Sequence, residues 1–169
     1  EALGLPECEV CHGNHLIRKP TDDMLGTGPG ALCVQCHEPG SAGFVAAQDM
    51  RESIERLKTR LSQAHDTTAQ AARLGMDVAD AEFEGHSAET QLTQARTYVH
   101  SFSAAALQPI VEEGMQHARL AEDGSRQAIH EFHFRRRGLW LTLTILIILV
   151  GGLLLVIREL ERSKRPPGP

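Results

Sequence analysis

The chain has 169 residues with 22 acidic and 17 basic side chains, which gives a formal net charge of −5. This balance gives no reason to expect a nucleic-acid partner. Aromatic residues make up 4% of the chain, so a conventional core would lack its large rings and another group must fill that space. The chain reaches Cys8 soon after Glu1, and we expect a processed N-terminus rather than that of a cytoplasmic protein.

Glycine and proline divide the sequence into two parts. They are frequent between Pro6 and Gly43 and sparse from Phe44 to Phe134. This shift predicts a loop-rich module followed by a helical one. The module has too few apolar side chains to bury a core of its own.

All four cysteines lie in two motifs of one pattern, CEVCH at residues 8–12 and CVQCH at residues 33–37. Cys-x-x-Cys-His is the attachment signature of c-type haem, because the two thiols bond one porphyrin edge and the histidine then lies under the iron. A zinc ribbon or two disulfides would use the same cysteine spacing, but neither explains a histidine after both pairs. The motifs predict two covalently bound haem c groups on Cys8, Cys11, Cys33 and Cys36, with His12 and His37 as proximal iron ligands. The haems would then form the core of the module.

The segment CHGNH at residues 11–15, followed by a short loop and ALCVQCH, resembles the doubled CXXCH unit of multihaem cytochromes c. The resemblance covers about residues 6–44. It implies that His15, three residues after the first proximal histidine, is the distal ligand of a neighbouring haem. Members of that family usually carry many haems, whereas this chain has two motifs, so further haems could belong to a partner.

Beyond the module, small and apolar residues recur every three or four positions from Ala47 to Ala71 and again from Val78 to Ala106. These heptads predict an antiparallel helical hairpin of about 30 residues per arm. Gly75 is the expected C-cap of the first arm, and Asp77 the expected N-cap of the second.

After the hairpin, helical pattern continues from Pro109 to about Phe134. A face of small residues in this stretch suits close packing against a partner helix or a second copy of the chain. It consists of Gly114, Ala118, Ala121, Gly124 and Ala128.

The hairpin geometry selects a distal ligand for the remaining iron. Folding about Met76 brings His100 to the end where the module joins the first arm, and it leaves His65 and His86 towards the opposite tip. We therefore predict His100 as a distal ligand. The alternatives are His117, Met24 and Met50.

Residues 139–157 read LWLTLTILIILVGGLLLVI, without a charge. At about 1.5 Å per helical residue this segment matches the hydrocarbon thickness of a bilayer. Basic residues flank both ends and do not decide its orientation. Because haem attachment to this motif takes place after export, we expect residues 1 to about 137 on the periplasmic or extracytoplasmic side of the inner (cytoplasmic) membrane.

The sequence thus predicts a mostly α protein with four parts: a dihaem module (1–44), a helical hairpin with a membrane-proximal helix (45–137), a transmembrane helix (138–158) and a cytoplasmic tail (159–169). No residue set is typical of bond chemistry. We expect an electron-transfer protein rather than an enzyme, with redox proteins of a membrane complex and membrane lipid as partners. The alternatives are a quinol dehydrogenase subunit and a haem-based redox sensor.

Overall fold

The fold is that of a computed structural model, which describes residues 7–16 and 19–163, without the side chain of residue 163. The expectations for residues 1–6, 17–18 and 164–169 lie outside the described residues. Helix α1 spans Cys8–His12, α2 spans Ala42–Arg73, α3 spans Ala79–Tyr98 and α4 spans Ala104–Ser163. Single-turn 3-10 helices lie at Asp22–Met24, Cys33–Gln35 and Val99–Ser101. The described part contains no strand, and the mostly α class is confirmed.

Helix α2 begins and ends with the local signals expected of its sequence. The Ser41 hydroxyl accepts a hydrogen bond from the Phe44 amide, 3.3 Å away, and so caps the first turn. At the other end Gly75 adopts φ +75°, its amide donates to the carbonyl of Ala72, and the amide of Met76 donates to Ala71. This pair of bonds is a Schellman motif, which favours glycine because an L side chain is strained at that φ.

The expected caps are shifted by one residue. The C-cap of α2 is Leu74, and Gly75 follows it. The N-cap of α3 is Val78 rather than Asp77. The Asp77 carboxylate still accepts a hydrogen bond from the amide of Ala79, 3.1 Å away, so its side chain supplies the cap from one position earlier.

The predicted length of the second arm is wrong. Helix α3 has 20 residues and ends at Tyr98, although the apolar pattern continues to Ala106. Phe102 adopts a left-handed conformation with φ 53°, which interrupts the helical hydrogen bonds. Ser103 directly precedes α4, and its hydroxyl accepts a hydrogen bond from the Ala106 amide in the first turn. The chain therefore turns back between residues 99 and 103 and forms a third packed helix.

Helices α2 and α4 run in the same direction. Arg60 of α2 pairs with Glu122 of α4 at 2.7 Å, and further along both helices the hydroxyls of Thr68 and Ser125 are hydrogen-bonded at 2.8 Å. Glu122 and Ser125 are buried, and buried polar groups are stable only when paired in this way. These pairs fix the register of the two helices.

Helix α3 runs opposite to α4. Glu84, near the start of α3, pairs with His117 of α4 at 2.6 Å, whereas Gln91, later in α3, lies against Gly114, earlier in α4. The described helices therefore form a bundle in which α2, α3 and α4 alternate in direction. Its apolar core consists of Met50, Ile54, Leu57, Leu61, Ala88, Leu92, Ala95, Leu107, Val111 and Ala118.

The small-residue face of α4 packs inside this bundle. A Cβ at Gly114 would lie 2.9 Å from Leu57 Cδ2 and 3.0 Å from Gln91 Cβ, and Ala118 and Ala121 are fully buried. The expectation of a partner helix or a second copy at these three positions is therefore wrong. The occupants are α2 and α3 of the same chain, brought close because these positions lack bulky side chains.

Helix α4 is continuous for 60 residues, with Pro109 inside it. The predicted boundaries at 137/138 and 158/159 both fall within this helix. Its apolar part is exposed and is long and apolar enough to cross a membrane. The distance along α4 from Ala104 to Leu139, where that part begins, is about 50 Å at the helical rise per residue.

Candidate haem-binding site

Each CXXCH motif forms one tight turn. The first is helix α1, which ends where the amide of Gly13 donates to the Glu9 carbonyl. The second begins with the 3-10 turn Cys33–Gln35, and the amide of His37 donates to the Cys33 carbonyl at 3.0 Å. One helical turn places residues three or four positions apart on one side. Both motifs can therefore direct their two thiols and the histidine to one side.

The two motifs also lie near each other. The pKa of the Cys11 thiol is raised, first by burial and then by the thiols of Cys33, Cys36 and Cys8, because nearby negative charge disfavours a thiolate. All four thiols are free. In the described part of the chain, no three or more His, Cys, Asp or Glu side chains are grouped to hold a metal ion.

The imidazole rings of His12 and His100 lie close together at the first motif. Their centroids are 6.1 Å apart and their planes differ by 25°. Two imidazoles on opposite sides of one metal ion, each with a metal–nitrogen bond of about 2 Å, have centroids about 6 Å apart. Two rings 88 residues apart in sequence (100 − 12) thus lie at a distance that suits two ligands of one metal ion.

The hydrogen bonding of His100 favours the same role. Its Nδ1 lies 2.8 Å from the carbonyl oxygen of Thr97. Because a carbonyl only accepts, Nδ1 must carry the proton, and the lone pair of a neutral ring then lies on Nε2. Metal-ligating histidines are commonly oriented by such a bond from the other ring nitrogen.

His37 of the second motif packs against the start of α2. A Cβ at Gly43 would lie 2.2 Å from His37 Cε1 and 2.3 Å from its Nδ1, so only glycine leaves room for this ring. The ring edge that carries Cε1 and Nδ1 faces the helix. The lack of a side chain at Gly43 therefore allows the His37 ring to lie against α2.

Among the described residues, no other candidate side chain forms a ring contact with His12 or His37. His15 is exposed, and its side chain has no hydrogen-bond or ring partner among the described residues. His117 is hydrogen-bonded to Glu84 between α3 and α4, and Met50 belongs to the bundle core. Met24 ends the turn that begins at Asp22.

An ion pair that the sequence does not indicate joins the loop between the two motifs to the bundle. The Asp22 carboxylate accepts from both Nε and Nη2 of Arg96, each at 2.8 Å, and from Lys58 Nζ at 3.3 Å. The Arg96 hydrogen bond is the main cause that lowers the pKa of Asp22. In the sequence, only the two adjacent acidic residues at 22 and 23 hint at an ion pair here. The basic partners of Asp22 lie 36 and 74 positions away and cannot be found from local sequence.

Apolar side chains around the thiols and the histidine pair are exposed. They are Val10 and Val34 inside the motifs and Tyr98 and Phe102 beside His100. Exposed apolar area of this kind is suited to cover a flat apolar group. With the four thiols and the spacing of the histidine pair, these side chains fit a porphyrin bonded at this site.

Comparison with known proteins agrees with the motif. The family model described as "Doubled CXXCH motif" matches residues 4–42, which is less than a quarter of the chain. No curated protein and no solved structure matches the chain. The doubled motif indicates covalent binding of haem c, and proteins that contain it are typically electron-transfer cytochromes. Residues 4–42 are therefore a doubled CXXCH unit of the multihaem cytochrome c type.

Proposed function

We propose that this chain is a membrane-anchored dihaem c-type cytochrome, which transfers electrons between a membrane redox complex and a periplasmic or extracytoplasmic partner. Two haem c groups are attached through Cys8, Cys11, Cys33 and Cys36. The observation that carries the proposal is the histidine pair, with ring centroids 6.1 Å apart, at the first CXXCH motif. When bound, haem c supplies a one-electron couple whose potential depends on its axial ligands.

The proposed ligation assigns two histidines to each iron. His12 and His100 hold the iron of the first motif, supported by their spacing and by the bond from His100 to Thr97. His37 and His15 hold the iron of the second, where His15 rests on the resemblance to doubled CXXCH units. Four histidines on two irons leave no open coordination position for a substrate, which favours electron transfer over catalysis.

The length of α4 supports a haem module that lies far from the membrane. Helix α3 ends at Tyr98, close to the module, and α4 begins there and runs about 50 Å before its apolar part starts. Asp22 of the module is bonded to Arg96 at the same end of the bundle. In the proposed arrangement the module packs on the α2–α3 hairpin at the end distant from the bilayer. A quinol in the bilayer could not reach it, so the supported partner is an extracytoplasmic redox protein.

The haem content is tested by intact mass and by the absorption spectrum of the full chain purified in detergent. We expect the polypeptide mass plus two haems, and a low-spin spectrum typical of bis-histidine iron. An unmodified polypeptide mass would refute haem attachment. A charge-transfer band of methionine ligation would refute the ligand assignment for that haem.

The partner class is tested with the same chain in lipid vesicles. We expect fast reduction of the haems by a small soluble reductant added outside, and no reduction on the same timescale by a quinol confined to the bilayer. Adding the native membrane complex should restore reduction from quinol. Direct and rapid reduction by quinol alone would instead support the quinol dehydrogenase alternative.

A further inference from the structure

The ion pair between Asp22 and Arg96 has the geometry of a strong, directional contact. Both carboxylate oxygens accept a hydrogen bond of 2.8 Å from one guanidinium. Paired bonds of this kind are shorter and stronger than neutral hydrogen bonds, and they fix orientation as well as distance. The Asp22 side chain is only 13% exposed, so solvent screens it less than it screens an ordinary surface pair.

Asp22 and Arg96 connect the loop between the two CXXCH motifs to the end of α3 that precedes His100. Asp22 lies in the loop between the two CXXCH motifs. Arg96 lies in the last turn of α3, next to Thr97, whose carbonyl accepts from Nδ1 of His100. The same short stretch of backbone therefore carries the guanidinium, the acceptor that orients His100, and His100 itself.

We propose that the Asp22–Arg96 pair positions His100, because it holds the loop between the two motifs against the end of α3. This inference rests on the proposed ligation of one iron by His12 and His100. Without the pair, the module and the end of α3 separate more often, and His100 leaves the iron more often. Asp22 and Arg96 are positioning residues, since neither is placed as an iron ligand.

The neighbouring pair between Asp23 and Arg51 supplies a matched control. It has a similar distance, 2.9 Å, but the Asp23 side chain is 77% exposed and Arg51 belongs to α2. Helix α2 carries none of the proposed distal ligands. Loss of this pair should leave His100 in place, although it removes one carboxylate from the same turn.

The experiment measures carbon monoxide binding to the reduced, full-length holoprotein in detergent, because carbon monoxide binds a ferrous haem only when one axial position is free. Asp22→Asn and Arg96→Met should each increase the rate of binding at one haem about tenfold, from the loss of a charge-assisted hydrogen bond. Arg96→Lys, which keeps the positive charge but cannot donate two parallel hydrogen bonds to the carboxylate, should give a smaller increase. Asp23→Asn should match the wild type.

His100→Ala is the reference, and helical circular dichroism tests whether each variant is folded. If His100→Ala binds carbon monoxide while Asp22→Asn, Arg96→Met and Asp23→Asn all behave as the wild type, the positioning role is wrong and the proposed ligation stands. If His100→Ala binds none, the ligation and the positioning role are both wrong. A variant that is helical at the measuring temperature yet binds faster supports positioning, since a loss of bundle stability alone would lower only the melting temperature.

Discussion

Replacing His100 by Ala tests the proposed ligand pair most directly. The ring is exposed, and its one hydrogen bond joins Nδ1 to the carbonyl of Thr97. Substitutions at exposed positions of this kind usually change stability by less than about 1 kcal/mol, so the bundle should remain folded. The loss of the imidazole should leave the first iron with His12 as its only axial ligand from the protein.

The assay is a carbon monoxide titration of the reduced holoprotein, followed by its absorption spectrum. The wild type should bind carbon monoxide only slowly, as His100 leaves the iron, whereas His100→Ala should rapidly bind one equivalent per two haems, because only one of the two irons loses a ligand. Intact mass should still show both haems, since the thioether bonds do not involve His100. The stoichiometry of one in two is therefore the quantitative expectation.

Three other histidines serve as controls, because the structure pairs each of them with a glutamate. His65 and His86 both pair with Glu89, and His117 pairs with Glu84. Alanine at any of these should leave carbon monoxide binding as slow as in the wild type. If His100→Ala keeps both irons six-coordinate and His117→Ala opens one of them, His117 and not His100 is the distal ligand of that iron.

Three further outcomes are expected. Gly43→Ala should push the His37 ring away from α2, because the new Cβ would lie 2.2 Å from Cε1, and the absorption spectrum of one haem should change. Gly124→Ala, with open space around the new Cβ, should leave the haem spectrum unchanged. Glu122→Gln should lower the free energy of unfolding by about 2 kcal/mol, measured by chemical denaturation, since it leaves Arg60 and Arg126, the partners of this buried carboxylate, without a counter-charge. The pKa of Asp22 is held below its ordinary value of 3.8, so its stabilisation should be complete above that value and be lost as the pH falls below it. This acid loss should be smaller in Asp22→Asn, and an identical acid transition in both proteins would show that the ion pair contributes nothing.

The parts of the fold that depend on neighbouring residues could be predicted from the sequence. Gly75 ends α2 because a left-handed residue closes the Schellman motif. The two CXXCH motifs fix the chemistry of the module because thiol spacing and the adjacent histidine are local features. The position of His100 beside the module followed from folding the chain near Met76, and the structure places its ring next to His12.

The parts that depend on a single dihedral angle or on distant partners could not be predicted. The apolar pattern continues through Phe102, so periodicity gives no sign that this residue adopts φ 53° and ends the second helical segment. The small-residue face around Gly114 suggested an external partner, because the sequence pattern does not show that α4 packs against α2 and α3. The pair between Asp22 and Arg96 joins residues 74 positions apart, and no local rule connects them.

The early end of α3 has a consequence for function. If α3 had continued to Ala106 as the pattern suggested, the start of α4 would lie beyond the module. Instead the chain turns at residues 99–103, and α4 begins beside the module and then runs the whole length of the bundle. Its pairs with α2, Arg60 with Glu122 and Thr68 with Ser125, keep the bundle together along that length. The helix that carries the apolar segment therefore separates that segment from the CXXCH motifs by about 50 Å along α4.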